Sequence, residues 1–490
     1  MNELANEKTN ICIFRYGFIK GCTVMFMDNM FVMLRITFCS LTSKFLALTF
    51  FLISMASAHA QSTYGWYTEG SDYAPSQRVR ITVTNPLDIP CENCPIVVQR
   101  KDLPKQNIPE RWINVVDPNL PENEEPTYEE LKESSGYLRR KETNGHFIEL
   151  QVDDLDKDGV WDEIFFLTDL KPREQREFYI YIGHYERGMY KHQVHAAIAN
   201  YGRHTVALWE SEYMGWKLWY PHSVDLHGKR EPMLTAYYEY SNNKSGYYMP
   251  SELGTDIMTV AETFGSGSMA VFENPNNPGN PTRAYHNLPA EDKGPFDETR
   301  FSYDVVFNGP LRSRIMVKTM NWDSGNGFYE LEQYYTAVAK KSWSTVEVKF
   351  ETFLAPGSDA MFGAGIRHIM EEYKSINKEG YAISMGKNID ARIPDEDIGE
   401  EVLIVPWEGI AIVVKEKFNP EYHNIDSFGG NHVFTIPVTS DLSYEYMMIG
   451  GWSFGTVNNN EEKFVEYVNI EANKYNNPPI VESFEYEVKE

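Results

Sequence analysis

Apolar and polar residues alternate in short runs along most of this chain. Val79-Arg80-Ile81-Thr82-Val83 and Thr345-Val346-Glu347-Val348-Lys349-Phe350 carry β-branched or aromatic side chains at every second position, and Phe178-Tyr179-Ile180-Tyr181-Ile182 is filled with them. A period of two sends neighbouring side chains to opposite faces of a strand, and Gly, Pro, Asn or Asp closes each run, so the pattern predicts antiparallel β-structure. Residues 79–182 predict a small sandwich, interrupted at Pro118–Ser135 by a Pro-, Glu- and Asn-rich loop. From about Ala196 aromatic residues become dense. Further strands are predicted at Arg300–Phe307, Ser313–Asn321, Phe328–Val338, Ser342–Leu354, Gly409–Val414, His432–Val438 and Tyr444–Gly450. Long strands in that number predict two large sheets stacked face to face. Only Ala364–Tyr373 and Glu461–Tyr475 read as helices, the second with Phe464, Val468 and Ile470 to bury. The expected fold is all-β: a large antiparallel supersandwich over residues 191–490 with a smaller β-sandwich region over 61–190.

The N-terminus follows a different grammar. Arg35 and Lys44 precede the apolar run Phe45–Met55, which ends in Ala58-His59-Ala60. That order is expected of a signal peptide cut before Gln61, and the run is shorter than the roughly 20 residues a membrane span needs. Met33 is a second possible initiator, so residues 1–60 are excluded from the fold, and the mature protein is expected in the periplasm or outside the cell, not inserted in a membrane. The chain carries a formal net charge of -26. Residues 1–60 hold five basic and three acidic residues, so their removal gives -28. Such a balance argues against a nucleic-acid partner, while leaving room for one local cluster of Arg and Lys.

Two of the five cysteines, Cys91 and Cys94, lie beyond residue 60. Outside the cytoplasm a pair so close is expected to be oxidised, here as a clamp on a turn between Pro90 and Pro95. A sharper signal is Asp154-Leu155-Asp156-Lys157-Asp158-Gly159-Val160-Trp161-Asp162-Glu163. Carboxylates at alternate positions, a Gly for the turn and a further Asp suit a hard cation, so Asp154, Asp156, Asp158 and Asp162 are candidate ligands of a structural Ca²⁺. Phe165 stands where an EF-hand has its last Glu, and the flanks read as strands, which leaves a calcium-binding hairpin loop or a plain acidic turn.

Chemistry concentrates between residues 201 and 230. Tyr201-Gly202-Arg203-His204, Trp209-Glu210-Ser211-Glu212, Trp216-Lys217-Leu218-Trp219-Tyr220-Pro221-His222 and Asp225-Leu226-His227-Gly228-Lys229-Arg230 mix indole and phenol rings with His, Arg, Lys and carboxylates. Aromatic faces stack on the C–H faces of sugars, and cations meet their hydroxyls and carboxylates. The competing reading is the edge of a hydrophobic core with its charged rim. Weaker candidates are His146, Gly254-Thr255-Asp256, Thr263-Phe264-Gly265-Ser266-Gly267, His286, Arg312, Arg314, Arg367-His368 and Gly429-Gly430-Asn431-His432.

Across Arg203–Glu210, Glu212–Arg230, Leu253–Gly265 and Gly309–Arg314 the chain resembles a family of secreted polysaccharide-utilisation proteins with a galactose-mutarotase-like fold. Within that family it is most similar to the oligosaccharide dehydratases of ulvan breakdown, over roughly residues 75–485. The resemblance implies a hydro-lyase that removes water from a non-reducing-end glucuronic acid to leave a 4,5-unsaturated uronyl unit, with no organic cofactor and an anionic oligosaccharide as partner. It does not supply the catalytic residues, which follow from chemistry. A base must take the C5 proton, a cation must neutralise the adjacent carboxylate, and an acid must protonate the leaving hydroxyl. His222 or Tyr220 is the expected proton-transfer group, Arg203 with Lys229 or Arg230 the neutraliser, His204 a second acid, and Trp209, Trp216 and Trp219 the sugar platform, with Glu210 beside them. A polysaccharide lyase, an epimerase using Glu210 or Asp256, and a non-catalytic glycan-binding protein are the alternatives.

Overall fold

The computed structural model describes residues 65–66, 75–120, 146–184, 190–201, 204–219, 221–236, 238, 251–284, 299–389 and 404–489. Residues 66–490 form one compact unit, and of the separate unit 1–65 only Gly65 is described. The signal-peptide expectation therefore lies outside the described residues, as do Arg203, Tyr220 and His286, while His204 is placed by its backbone alone.

Alternation produces strands almost throughout. The first group is β1 (Gln77–Thr84), β2 (Cys91–Gln99), β3 (Ile113–Asp117), β4 (His146–Ile148), β5 (Leu150–Asp153), β6 (Glu163–Leu170) and β7 (Gln175–Ile182). Next come β8 (Val194–Tyr201), β9 (His204–Ser211), β10 (Met214–Trp219), β11 (Ser223–Lys229), β12 (Gly254–Asp256) and β13 (Ser268–Phe272). Long strands follow as β14 (Arg300–Asn308), β15 (Arg312–Asp323), β16 (Phe328–Val338), β17 (Trp343–Leu354), β18 (Met361–Arg367), β19 (Glu371–Lys378), β20 (Tyr381–Ile389) and β21 (Ile404–Val414). The chain ends with β22 (Glu421–Ile425), β23 (Asn431–Pro437), β24 (Ser443–Trp452), helix α1 (Glu461–Asn476) and β25 (Ile480–Val488).

All pairing between these strands is antiparallel, as the alternation predicts. Sheets β25-β1-β7-β3-β4 and β2-β6-β5 enclose one apolar core, built on Val79, Ile81, Val115, Ile164, Phe166 and Ile180. An eight-stranded sheet, β14-β15-β16-β17-β24-β21-β20-β19, shares a second core with the sheet β12-β11-β10-β9-β8. A fifth sheet, β13-β18-β23-β22, completes the same body. The region 61–190 is not closed by its own sequence. Its outer strand is β25, from the far end of the chain, where Glu487 and Glu485 pair with the buried Arg78 and Arg80.

Helix α1 forms where periodicity places it. Asn460 caps it by accepting from the Lys463 amide at 3.0 Å, Glu461 and Glu462 occupy the positive first turn, and Phe464, Val468 and Ala472 face the core. Ile470 is only half-buried; Glu471 goes inside instead, held by Lys474 at 2.9 Å and the Trp343 indole at 2.8 Å.

The other expected helix, Ala364–Tyr373, is corrected to the strand ends β18 and β19. Strand pairing overrides local propensity here, because β18 runs between β13 and β23 and its glycines admit close neighbours. A Cβ on Gly365 would come within 2.5 Å of Val433 and 2.8 Å of the His432 carbonyl. The Cys91–Cys94 pair is joined as a disulfide, but it lies inside β2 rather than in a turn. It spans a bulge opposite β6, where Asn93 adopts φ 46° and its amide donates to Asp169 at 2.7 Å.

Candidate functional site

Sheet β12-β11-β10-β9-β8 has two unlike faces. Trp216 lies opposite Trp209 and Leu226, whereas Lys217 lies opposite Leu208 and Asp225. Directly paired residues share a face, so Met214, Trp216, Leu218, Trp209, Val224 and Leu226 make one side. Glu210, Lys217, Trp219, Asp225, His227, Lys229 and Asp256 share the other. Both sides of β10 and β11 are buried. A sheet covered on both faces is ordinarily apolar on both. Enclosing this many ionisable groups is costly unless each is paired, and that departure marks the second face as the candidate site.

The apolar face takes two of the three expected platform rings, which corrects that expectation. The Trp209 and Trp216 rings stack at 6.4 Å and 11°, Trp209 packs on Tyr335 at 4.5 Å, and its indole nitrogen donates to Ser344 at 2.9 Å. Both rings are packed into the core between the sheets, so neither faces the polar side. Trp219, at the end of β10, is half-buried on the polar side, with the Lys217 ammonium 4.8 Å from its ring centre.

Glu210 and Lys229 are a closed structural pair. The Lys229 ammonium donates to the Glu210 carboxylate, to the Ser211 carbonyl at 2.6 Å and to the Met233 carbonyl at 2.8 Å. Glu210 also accepts from the Thr235 and Ala236 amides at 2.9 and 3.1 Å, and His195 lies 3.4 Å away. Burial raises the Glu210 pKa, but the Lys229 charge and the bonds from His195, Lys229 and Thr235 outweigh it and bring it down to about 2. All three Lys229 protons are engaged, so the expected role of this pair in holding substrate is not supported. Arg230 stacks near Phe454 at 4.9 Å and bonds the Ser251 carbonyl at 3.0 Å.

The centre of the polar face joins four elements. Lys217 of β10 and Asp225 of β11 pair at 2.9 Å. Arg367 of β18 is close enough to feel the Asp225 charge, and Glu408 of β21 acts on both Arg367 and Asp225. Burial pushes the Glu408 carboxyl up to about 8; Arg367 and the Asn388 amide offset this only in part, and the Asp225 charge adds to it. Burial thus favours the neutral form of Glu408 near pH 7, beside the cations Lys217 and Arg367 and the Asp225 anion. His227 lies across from Asp256 on β12, and Gly254 is required at that corner, since a Cβ there would meet the Gly228 carbonyl at 2.1 Å and His227 Nε2 at 3.0 Å.

His222 has different neighbours. It is buried in the turn before β11, its ring 3.8 Å from Glu262, and its carbonyl accepts from Arg283. Arg283 also bonds the Thr263 and Glu262 carbonyls at 2.9 and 2.7 Å and lies 4.4 Å over Phe264. Arg312 bridges Asp153 and Glu163, and Arg314 bonds Glu347, so both are tied into the framework. The sequence strings around 201–230 contain Lys217, Asp225 and His227 without singling them out, and Glu408 was missed. Its signal was a lone carboxylate at the head of the apolar run Gly409–Val414.

In the acidic hairpin, Asp154, Asp156 and Asp162 bring carboxylate oxygens within 4.8 Å of one another, and Asp158 stands outside the trio. The flanks are strands, as expected. The loop closes on itself as well: the Gly159 amide donates to Asp154, Leu155 to Asp162 and Val160 to Asp158, at 2.7 to 2.8 Å. Among the described residues no helix is long and apolar enough to cross a membrane.

Two solved structures are distantly similar to this chain. The chain is similar to a protein of glycosyl hydrolase family 38 from Enterococcus faecalis, with TM-score 0.41 and 10% identity over 84% of this chain and 48% of that one. It is also similar to an alpha-mannosidase from Enterococcus faecalis V583, with TM-score 0.39 and 10% identity over 84% of this chain and 46% of that one. The chain thus spans about half the length of either, and likenesses this distant carry no argument about activity. No curated protein matches the sequence. A family profile does match, over residues 83–481, and the chain accordingly belongs to the family described as domain of unknown function (DUF4861).

Proposed function

We propose that the protein is a carbohydrate-active carbon–oxygen lyase, an oligosaccharide dehydratase acting on a terminal uronic acid. The observation that carries this reading is the quartet Lys217, Asp225, Arg367 and Glu408, which places an excess positive charge beside a neutral buried carboxylic acid. A uronate carboxylate balances that excess. Once neutralised by Lys217 and Arg367 it acidifies the neighbouring C5–H. His227, oriented beside Asp256, takes that proton. The electron pair forms the C4–C5 double bond, the C4–O bond breaks, and Glu408 gives its proton to the departing hydroxyl, which leaves as water. Half-buried Trp219 offers a ring for the sugar at the rim. Arg203, His204 and Tyr220 remain candidates for the same reaction.

A second reading is a non-catalytic glycan-binding protein whose polar face is an internal ion-pair network. It is favoured by the deep burial of Lys217, Asp225, His227 and Glu408. One experiment separates the two. Purified protein is incubated with ulvan oligosaccharides ending in glucuronate, and the ultraviolet absorbance of the unsaturated uronate and the product mass are followed. Loss of one water without chain scission supports the dehydratase, and scission indicates a lyase. Absence of any new absorbance across uronate substrates leaves the binding protein.

A further inference from the structure

Just beyond the C-terminal end of β18 lies a second cluster that the proposed reaction does not use. His368 follows β18, Glu372 is the second residue of β19 and His432 lies on β23, and one ligand atom from each falls within 4.8 Å of the others. The two imidazoles face each other at 4.3 Å between ring centres, and His432 Nε2 lies 2.9 Å from the Glu372 carboxylate.

The surrounding groups are arranged as around a metal ligand set. His432 Nδ1 lies 2.7 Å from the Tyr422 hydroxyl, a partner able to hold the proton on Nδ1 and leave Nε2 to coordinate. Ser384 donates to Glu372 and fixes its carboxylate. His368 packs its Nδ1 side against Gly430, where a Cβ would come within 2.7 Å. Its buried Nε2 has no hydrogen-bond partner among the described residues.

We propose that His368, Glu372 and His432 form a binding site for a divalent transition metal, Zn²⁺ by its chemistry. Two imidazole nitrogens and one carboxylate oxygen suit a borderline-soft ion and are too few and too nitrogen-rich for Ca²⁺ or Mg²⁺. Ligands about 2 Å from a tetrahedral Zn²⁺ stand ~3.3 Å apart, so the cluster closes onto an ion with small shifts. The ion sits between His432 Nε2 and the Glu372 carboxylate, and solvent takes the fourth place. It pins the corner between β18 and β19 immediately after Arg367, whose Nε bonds the His368 carbonyl at 2.7 Å.

The test is calorimetric and does not depend on the reaction proposed above. Chelator-treated full-length protein is titrated with ZnCl₂ in the presence of a competing chelator. Wild type is expected to take up one equivalent at this site and to melt at higher temperature with zinc. Binding is expected to vanish in His432→Ala, His368→Ala and Glu372→Gln, to weaken about 10- to 100-fold in Tyr422→Phe, and to persist in the Asp154→Asn/Asp156→Asn double variant. Glu372→Gln keeps the side chain's shape, so its failure to bind is not a failure to fold. Absence of stoichiometric binding in wild type, retention of it in Glu372→Gln or His368→Ala, or loss of it only in the Asp154/Asp156 variant overturns the proposal.

Discussion

Burial acts on Glu210 and Glu408 in opposite directions, because one carboxylate is met by a lysine and backbone amides while the other has only an offset arginine and an amide. Glu210 falls from 4.5 to about 2, so the unfolded chain binds the extra proton between those values, and the stability it contributes is lost as pH falls from 4.5 toward 2. Glu408 rises from 4.5 to about 8, so the folded chain holds the extra proton, and stability declines as pH rises from 4.5 to 8. Denaturation followed across pH is expected to show both limbs, with Glu408→Gln abolishing the alkaline one. The same substitution leaves a neutral group of similar shape, so the fold is expected to persist, and under the proposed reaction dehydration is expected to slow about 10²- to 10⁴-fold. Glu210→Ala leaves Lys229 buried and unpaired and is expected to cost about 3–5 kcal/mol in chemical denaturation. None of this was legible in the sequence. Glu210 and Glu408 each sit beside a tryptophan in a strand, and which one is ionised depends on groups far away along the chain.

At the scale of elements, strand alternation was read correctly where it was long, as in β16 and β17. Ala364–Tyr373 was misread because Gly363 and Gly365 mark close strand packing rather than a helical turn. The tryptophans of β9 and β10 were legible as a cluster, yet their face was not. One residue of register decides whether Trp216 or Lys217 meets the core, and register is set by the partner strand. The disulfide in β2 closes a very short loop, so replacing both cysteines by serine is expected to cost about 2 kcal/mol in denaturation, whereas a long-loop bridge would cost more. Deleting 480–490 removes β25 and strands Arg78 and Arg80, which are buried beside Glu487 and Glu485. That truncation is expected to cost at least about 3–5 kcal/mol and to expose the β1 edge to aggregation, measurable by light scattering on heating.

For the whole molecule, the join between the two apolar cores is itself ionic. Arg312 at the start of β15 reaches Asp153 at 2.6 Å and Glu163 at 2.5 Å, while Gln151 accepts from the Leu311 and Arg312 amides at 3.0 Å. Arg312→Met leaves two acids buried without their cation, and calorimetry is expected to resolve a single unfolding transition into two. By itself the sequence determined the all-β antiparallel class, helix α1 and the 201–230 region as the richest in chemistry, because side-chain period and capping are local properties. Tertiary structure alone decided that β25 closes the first sheet, that Trp209 and Trp216 turn inward, and that Lys217, Asp225, Arg367 and Glu408 meet. Those groups come from β10, β11, β18 and β21, and only the stacking of separate sheets brings such distant positions into one electrostatic environment.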